Sequence, residues 1–297
     1  MFGIVGGVSL LTYIKQFVGM FLLVIFVCGA PLMLYTKKEE VVFEPENVVS
    51  RVVYLFEKFS EGSLGTYYLG VNEREISEDI LPFAISSFEL LFVSILIAVI
   101  LSILLGLFMH RNRIARIIQR LLDIVSMVPD FILILFSMVL AISFYKLTNI
   151  RLITLSPTSD ATNNWFPTMV LALGPTIFLV KVVVLKYAEI AGEDYIKTAL
   201  AKGLKVRHVQ LHHVYKNIKP FLLADLKKAI AITVANLFIV EYSLNVVGLT
   251  RFIFTKGAGY QFNSSVMGLM GIILLSILVY LLVRFFLYLF ERAVIYR

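Results

Sequence analysis

Charged residues are scarce in this chain. Only 16% of its 297 residues are charged, whereas 59% are hydrophobic and the mean hydropathy is +0.89. About a quarter of the residues in soluble domains are charged, so this composition excludes an ordinary soluble protein. The formal net charge is +7, but the basic residues cluster beside apolar runs, where membrane topology and anionic lipid explain them better than nucleic acid does. The sequence therefore predicts a polytopic membrane protein whose partners include membrane lipid but no nucleic acid.

Cysteine is almost absent. The one cysteine, Cys28, lies inside the first apolar run, which excludes a disulfide or a cysteine-rich metal site within the chain. Phe26 and Val27 before it are larger than the small residues expected at a lipoprotein processing site, and no basic segment with an A-x-A cleavage site is present. We therefore expect Cys28 to pack as a small apolar residue in an uncleaved signal anchor.

The sequence also lacks the common catalytic motifs. No G-x-x-x-x-G-K-[ST] loop or G-x-G-x-x-G turn is present to hold phosphate, so ATP and Mg²⁺, if used, would be bound by a partner. An intramembrane enzyme is disfavoured because H-E-x-x-H, G-x-S-x-G and paired intramembrane aspartates are missing. A self-sufficient secondary transporter would need midplane carboxylates, and Asp130 and Glu241, the nearest candidates, lie toward the ends of apolar runs. The sequence thus predicts no catalytic residue and no cofactor bound by this chain.

Long apolar runs occupy most of the chain. A helix needs roughly 20 residues to cross a bilayer, and six runs approach or exceed that length. Pro31, near the end of the first run, can distort or terminate a helix. We therefore predict an all-α membrane protein that forms a single domain over 1–297, with spans near 16–35, 87–109, 121–145, 167–187, 221–247 and 265–290.

The charges between the runs predict the orientation in the membrane. Segment 36–86 is long, hydrophilic and acidic, which suits the outside. The short link after the second run is rich in arginine, at Arg111, Arg113, Arg116 and Arg120. Basic residues in short loops favour the cytoplasm. Alternation then places 146–166 outside, 188–220 inside and both chain termini in the cytoplasm.

A basic, amphipathic stretch, the 193–220 segment, interrupts the apolar runs. Acidic residues stand where a short helix would begin, a lysine stands in its last turn, a glycine follows as a stop, and a proline closes a second short helix. These residues are Glu193, Asp194, Lys202, Gly203 and Pro220, in that order. Ile196, Ala199 and Leu200 add an apolar stripe at helical spacing. The pattern predicts a helical hairpin that could lie on a membrane surface or dock into a partner.

Three histidines within this segment, His208, His212 and His213, suggest a metal site because residues four apart share a helix face. Neighbouring cations disfavour a bound metal ion, and they are Lys205, Arg207 and Lys216. We therefore predict no metal site, with the histidines on a solvent-facing or partner-facing side of the helix.

Polar residues at predicted membrane depth form a second group of candidates. An ionisable group there is costly unless it pairs or lines water. Two interpretations stay open, a polar lining of a translocation path and helix ends at the level of the lipid headgroups. The path candidates are Asp130, Asn236, Glu241 and Ser243.

The 193–220 segment resembles the EAA loop of ABC importer permeases, because E-D-Y-I-K-T-A-L-A-K-G-L is followed by a basic stretch and a proline. Three further motifs, in the same order, resemble the B-type permease of oligopeptide, dipeptide and nickel importers. FSEGSLGTYY at 59–68 resembles its external F-x-x-G-x-L-G-x-S/T motif, residues 128–131 resemble its apolar-P-x-F segment, and VEYSLNVVGL at 240–249 resembles its V-E-x-x-F-x-x-P-G-L motif. The resemblance covers nearly the whole chain.

The resemblance implies a type I ABC importer permease fold. It implies a subunit of the bacterial cytoplasmic membrane that forms half of a translocation path for oligopeptides or dipeptides, with nickel or another small solute as the alternative. The expected partners are a second, related permease, two cytoplasmic ATPase subunits that bind ATP and Mg²⁺, and an external substrate-binding lipoprotein that meets 36–86.

The resemblance also implies how the chain couples to ATP hydrolysis. The 193–220 segment would lie in a groove of an ATPase subunit, with Ala199 and Leu200 filling the groove and Gly203 forming a sharp corner. Closure of the ATPase dimer would displace this segment and tilt the adjoining helices. The coupling residues are expected to be Glu193, Asp194, Thr198, Ala199, Leu200, Lys202, Gly203, Leu204 and Pro220.

Overall fold

The computed structural model describes residues 10–37, 40–108, 113–150, 165–254 and 260–294. The elements, in chain order, are α1 (Leu10–Met33), β1 (Leu34–Lys37), β2 (Glu40–Phe43), α2 (Glu46–Ser60), β3 (Thr66–Leu69), β4 (Asn72–Glu75), α3 (Ile76–Phe108), α4 (Arg113–Val125), α5 (Asp130–Thr148), α6 (Trp165–Ala191), α7 (Asp194–Ala201), α8 (Val206–Val209), a π-helical turn (Gln210–Tyr215), α9 (Lys216–Ser243), α10 (Leu249–Ile253) and α11 (Phe262–Val294). The predicted all-α class is confirmed, with two short β-hairpins in addition. Arg111, most of the predicted external link 146–166 and the chain termini lie outside the described residues.

Five helices in the described part of the chain are long and apolar enough to cross a membrane: Ile14–Met33, Ile76–Leu107, Asp130–Thr148, Trp165–Ala191 and Phe262–Ala293. They correspond to five of the six predicted spans. The predicted fifth span falls in α9, which is long enough but also carries Asp225, Lys227, Lys228 and Glu241. The described residues therefore contain five helices that are long and apolar enough to cross a membrane, and α9, which is as long but more charged.

Two helix boundaries differ from the prediction. The second helix begins at Ile76 and not near 87, because Glu78 and Asp79 in its first turn complement the helix dipole, a polar start that hydropathy overlooks. The predicted third run at 121–145 is divided into α4 and α5, with Pro129 directly before the first residue of α5. The residue before a proline is disfavoured in helical conformation, so the break falls at 126–129.

The chain contains two compact units. The first comprises Met1–Ala84 and Leu249–Ile273, and the second comprises Ile85–Gly248 and Leu274–Arg297. The helices α3 and α11 contribute residues to both. The expected single domain stays a prediction.

In the first unit, the segment predicted to be external contains regular structure. β1 pairs with β2, and β3 pairs with β4, both antiparallel, with Thr66 opposite Glu75 in the second hairpin. Gly62 ends α2 in left-handed conformation (φ +79°), its N–H bonds to the Phe59 carbonyl, and the next N–H, from Ser63, bonds to the Lys58 carbonyl. This is a Schellman motif, which needs a residue with positive φ and therefore favours glycine. The glycine in FSEGSLG thus forms a fixed corner.

A small aromatic core lies beyond that corner. Tyr67 and Phe252 meet edge-on with ring centroids 5.0 Å apart. The Tyr67 hydroxyl donates to Asp79 at 2.7 Å, and Arg74 pairs with the same carboxylate at 2.8 Å. Burial, together with the bond to Asp79, raises the pKa of Tyr67 to about 12, so the hydroxyl remains a donor at neutral pH. The core side chains here include Leu55, Ile76 and Val266.

The second unit is a helical core in which α6 and α9 pack against each other more extensively than any other pair of described elements. Fully buried leucines from α3, α6 and α9 fill its centre, among them Leu91, Leu107, Leu171, Leu179, Leu222 and Leu237. Gly106 of α3 lies so close to Val183 of α6 that an added methyl group would overlap the valine side chain. Glycine at this position lets the two helices approach closely.

Candidate functional site

The corner of the 193–220 segment has the predicted geometry. α7 ends at Ala201, Lys202 follows as its cap residue, and Gly203 adopts φ +82°. The Gly203 N–H bonds to the Leu200 carbonyl at 3.0 Å, and the Leu204 N–H bonds to the Ala199 carbonyl at 3.3 Å. These two bonds form a second Schellman motif, so Gly203 ends the helix and turns the chain.

The two faces of α7 differ in burial. Ile196 and Ala199 are 3% and 8% exposed and pack within this chain, whereas Leu200 and Leu204 are 43% and 40% exposed. Ala199 therefore does not project outward, contrary to the expectation that it fills a partner groove. The large apolar side chains that are exposed around this corner are Tyr195, Leu200, Leu204 and Val206.

The acidic start of α7 stabilises the helix without a side-chain cap. Glu193 stands at the cap position in extended conformation, with no capping bond from its side chain. Asp194 pairs with Lys197 one turn later at 2.9 Å, and the Thr198 hydroxyl donates to the Asp194 carbonyl at 2.8 Å. Glu193, Asp194, Thr198 and Lys202 are all exposed. They form a polar rim around the exposed leucines.

The prediction that Pro220 closes the second short helix is wrong. Helix continues without a break from Val206 to Ser243, and Pro220 lies inside α9. Proline has no N–H to donate, which normally weakens a helix interior. A π-helical turn at Gln210–Tyr215 precedes it, and such wide turns locally change the hydrogen-bond register. The 193–220 segment is therefore joined rigidly to the predicted fifth span.

The start of α9 is tied to neighbouring helices of the second unit. Lys219 forms an ion pair with Glu291 of α11, and both side chains are largely buried. The Tyr215 ring meets Phe290 of α11 edge-on at 5.8 Å. The Gln210 amide donates to the Leu107 carbonyl of α3 at 3.1 Å. Contacts at this end of α9 thus connect it to two neighbouring helices, α3 and α11.

The histidines lie together on this stretch. The rings of His208 and His212 stack at 4.0 Å, and that of His213 lies 6.2 Å from His208. Partial burial lowers the pKa of His212, and the charges of His208, His213 and Lys216 lower it further. The cluster therefore disfavours positive charge on His212, in agreement with the basic surroundings noted in the sequence.

Two of the four path candidates lie together. Asp130 begins α5, and its carboxylate accepts a hydrogen bond from the Asn236 amide of α9 at 3.1 Å. Gly174 of α6 lies against this pair, since an added Cβ would stand 2.9 Å from the Asp130 oxygen and 3.1 Å from the Asn236 nitrogen. Three helices thus meet at a half-buried carboxylate that lies at the N-terminus of α5.

Glu241 and Ser243 occupy different surroundings. Glu241 is completely buried and accepts a hydrogen bond of 2.5 Å from Ser87 of α3. The chain turns back after Ser243, with Asn245 at φ +57° and the Val246 N–H bonded to the Glu241 carbonyl. Gly248 then lies so close to the Glu241 carboxylate that a methyl group would overlap it. Glu241 therefore holds the turn after α9 and is not exposed to an open path or to lipid headgroups.

Sequence reasoning missed Ser87, Gly174 and Gly248. A serine or glycine in an apolar run gives no periodic signal of its own. Gly248 belongs to the VEYSLNVVGL motif, so its spacing of seven residues from Glu241 was the available indication. Ser87 and Gly174 are far from their partners in sequence, and only the packing of α3, α6 and α9 brings them together.

The chain is similar in sequence to known membrane transport proteins. Residues 69–296 match a family described as the inner membrane component of binding-protein-dependent transport systems. The chain is also 27% identical over 169 residues to the dipeptide transport system permease protein DppB of Bacillus subtilis (strain 168). The aligned stretch is 56% of this chain and 53% of that relative, so the match spans about half the length of each.

Proposed function

Since the chain belongs to the family of inner membrane components of binding-protein-dependent transport systems, we propose that it is the permease subunit of an ATP-driven importer of short peptides. The family match confirms the resemblance found in the sequence, and it makes the chain a multi-pass transporter component and not a catalytic enzyme. The peptide cargo is proposed from the similarity to a dipeptide permease over 169 residues.

The observation that carries this proposal is the corner at Gly203. It presents Leu200 and Leu204, surrounded by charged side chains, on a rigid Schellman turn. An apolar centre with a polar rim is typical of a protein-binding surface. The chain has no phosphate-binding loop, and we propose that a partner that hydrolyses ATP occupies this surface.

The remaining partners are part of the same proposal. A second, related permease would complete the translocation path, two ATPase subunits would hold ATP and Mg²⁺, and an external binding lipoprotein would meet 36–86. Asp130 and Asn236 are proposed to line the path, because theirs is the half-buried polar pair that joins three helices of the second unit. Both termini are proposed to lie in the cytoplasm of a bacterial cell.

Uptake of a labelled dipeptide tests the cargo. Cells that express the complete transport system with and without this chain are given radiolabelled alanyl-phenylalanine, and in parallel radioactive nickel. We expect dipeptide uptake to fall to background without the chain and to return on complementation, while nickel uptake does not change. Dipeptide uptake that persists without the chain contradicts the proposal, and loss of nickel uptake alone would favour a nickel permease.

Thiol labelling tests the orientation. Val71, at the tip of the β3–β4 hairpin, is 93% exposed, so a Val71→Cys variant in a Cys28→Ser background should react with an impermeant maleimide added to intact cells. Arg120→Cys, at an exposed position on the predicted cytoplasmic side, provides the matched control and should react only after the cells are opened. The opposite pattern for the two variants would overturn the proposed topology.

A further inference from the structure

A polar cavity of about 290 Å³ lies in the first unit. Its walls come from the end of α1, from α2, from the β3–β4 hairpin and from residues 260–263 before α11. A second hollow of about 470 Å³ adjoins it and shares Leu32, Arg51 and Tyr54. The combined space is within the range of small-molecule sites, which measure roughly 300–1,000 Å³.

One wall of the cavity is fixed by hydrogen bonds. The Gln261 amide nitrogen donates to the Tyr68 carbonyl at 2.7 Å, and the Tyr68 N–H donates to the Gln261 amide oxygen at 2.6 Å. The Asn263 amide donates to the Thr66 carbonyl at 3.2 Å. Side-chain amides thus occupy the edge of β3 that faces away from β4. The cavity is therefore a built feature of the first unit, not a gap between loose segments.

The cavity contains one cation and one carboxylate that do not neutralise each other. The side chain of Arg51 in α2 makes no ion pair or hydrogen bond with any residue that the structure describes. Glu73 of β4 accepts a hydrogen bond from the Thr66 hydroxyl at 2.7 Å, which orients one carboxylate oxygen. Both side chains are exposed. A ligand with charges of both signs would complement this wall.

Three tyrosines contribute to the apolar part of the lining, beside Leu32 and Phe262. Tyr54, Tyr68 and Tyr260 border the cavity, and the Tyr260 hydroxyl donates to the Cys28 carbonyl at 2.7 Å, which holds its ring in place. Tyrosine rings offer large, rigid contact area to an apolar side chain. The cavity thus combines an arginine, a carboxylate and aromatic walls.

We propose that this cavity binds a short zwitterionic peptide, with the peptide carboxylate on Arg51 and the peptide amino group on Glu73. Arginine can hold a carboxylate through two parallel N–H bonds, and a carboxylate is the natural partner of an ammonium group. The choice of a peptide rests on the proposed function, whereas the requirement for both charges follows from the cavity itself. The site would retain peptide on the side of the membrane predicted to be external.

Equilibrium dialysis of the purified full-length chain in lipid nanodiscs tests the proposal, with radiolabelled alanyl-phenylalanine as the probe. Two capped forms are compared with the free peptide: the carboxyl-amidated peptide and the amino-acetylated peptide. We expect each capped form to bind about tenfold more weakly, because each loses one charge-assisted contact. Binding of both capped forms as tightly as the free peptide would overturn the proposal, as would failure of the free peptide to bind.

Variants then assign each contact. Arg51→Gln should weaken binding of the free peptide about tenfold and leave binding of the amidated peptide unchanged, because the arginine contact is already missing there. Glu73→Gln should weaken binding of the free peptide about tenfold and leave binding of the acetylated peptide unchanged, because the contact with Glu73 is already missing there. Arg51→Lys should retain part of the affinity for the free peptide. Lys146→Gln, which removes an exposed cation of the second unit, is the control and should bind like the natural chain.

The outcomes separate this site from the proposed function. An Arg51→Gln variant that weakens binding of free and amidated peptide equally would overturn the assigned contact. Absence of peptide binding by the isolated chain, with dipeptide uptake intact in cells, would overturn the site and leave the proposed function standing. Peptide binding by the isolated chain, with no dipeptide uptake in cells that depends on it, would leave the site standing and overturn the proposed function.

Discussion

Replacing Gly203 by glutamate is expected to abolish dipeptide uptake while the protein remains in the membrane. Gly203 adopts φ +82°, a conformation that costs a residue other than glycine about 1–2 kcal/mol. No atom lies within 4 Å of a Cβ built at this position, so steric overlap is not the cause. The strain loosens the Schellman corner, and the new carboxylate stands beside Leu200 and Leu204 in the proposed docking surface. Losing an interface centre of this kind typically costs about 2 kcal/mol or more.

Gly203→Asn is the matched control for this variant. Asparagine tolerates left-handed backbone better than other residues do, and it adds no charge, so we expect most of the uptake to remain. Membrane levels are compared by immunoblot, and docking is measured as ATPase subunits that co-purify with each variant. Normal uptake by Gly203→Glu would contradict the coupling role. An equal loss in both variants would show that any side chain is excluded and that charge has no part.

The Gly248→Ala substitution should destabilise the second unit by about 1–3 kcal/mol, the usual range for an overpacked core. The added methyl group overlaps the Glu241 carboxylate. That carboxylate has little freedom to move, because it is fully buried and bonded to Ser87 at 2.5 Å. The thermal unfolding midpoint of the purified protein is the measurement. We also expect lower yield of folded protein in the membrane.

A double-mutant cycle isolates this contact. In a Glu241→Ala background the space beside Gly248 is free, so the further change Gly248→Ala should then cost little. Gly192→Ala serves as the control, because its added Cβ would meet its nearest neighbours at ordinary distances of 3.5 and 3.7 Å. An equal penalty for Gly248→Ala in both backgrounds would show that the contact with Glu241 is not responsible.

The features that the sequence predicted well are those governed by local chemistry. The predicted corner at Gly203 is a Schellman motif, and such a motif depends on a few neighbouring residues and on one glycine with positive φ. The acidic start of α7 and its end at Gly203 follow for the same reason. Five of the predicted spans coincide with apolar helices, because hydropathy over some 20 residues is also a local property.

The features that it predicted poorly depend on contacts between distant residues. Pro220 predicts a helix end, yet α9 packs against α6 and continues through the proline. Ala199 reads as part of an exposed stripe, yet the second unit covers it. The interpretation of Glu241 required the position of Ser87, which is 154 residues away. The polar cavity likewise depends on the hydrogen bonds between residues 260–263 and β3. No local sequence pattern predicts these bonds.

The charges of α9 also have a consequence for the biosynthesis of the protein. A lysine or aspartate opposes the release of a helix from the insertion channel, by about 2.5–3.5 kcal/mol at the helix centre and by less toward its ends, and α9 carries Asp225, Lys227 and Lys228 within four positions. α6 is synthesised earlier and is strongly apolar, and Lys228 lies over its Phe178 ring at 5.0 Å. We therefore expect α6 to remain next to the insertion channel until α9 is synthesised, and α9 to enter the bilayer while it packs against α6. The extensive packing between these helices would then serve assembly during translation before it serves transport.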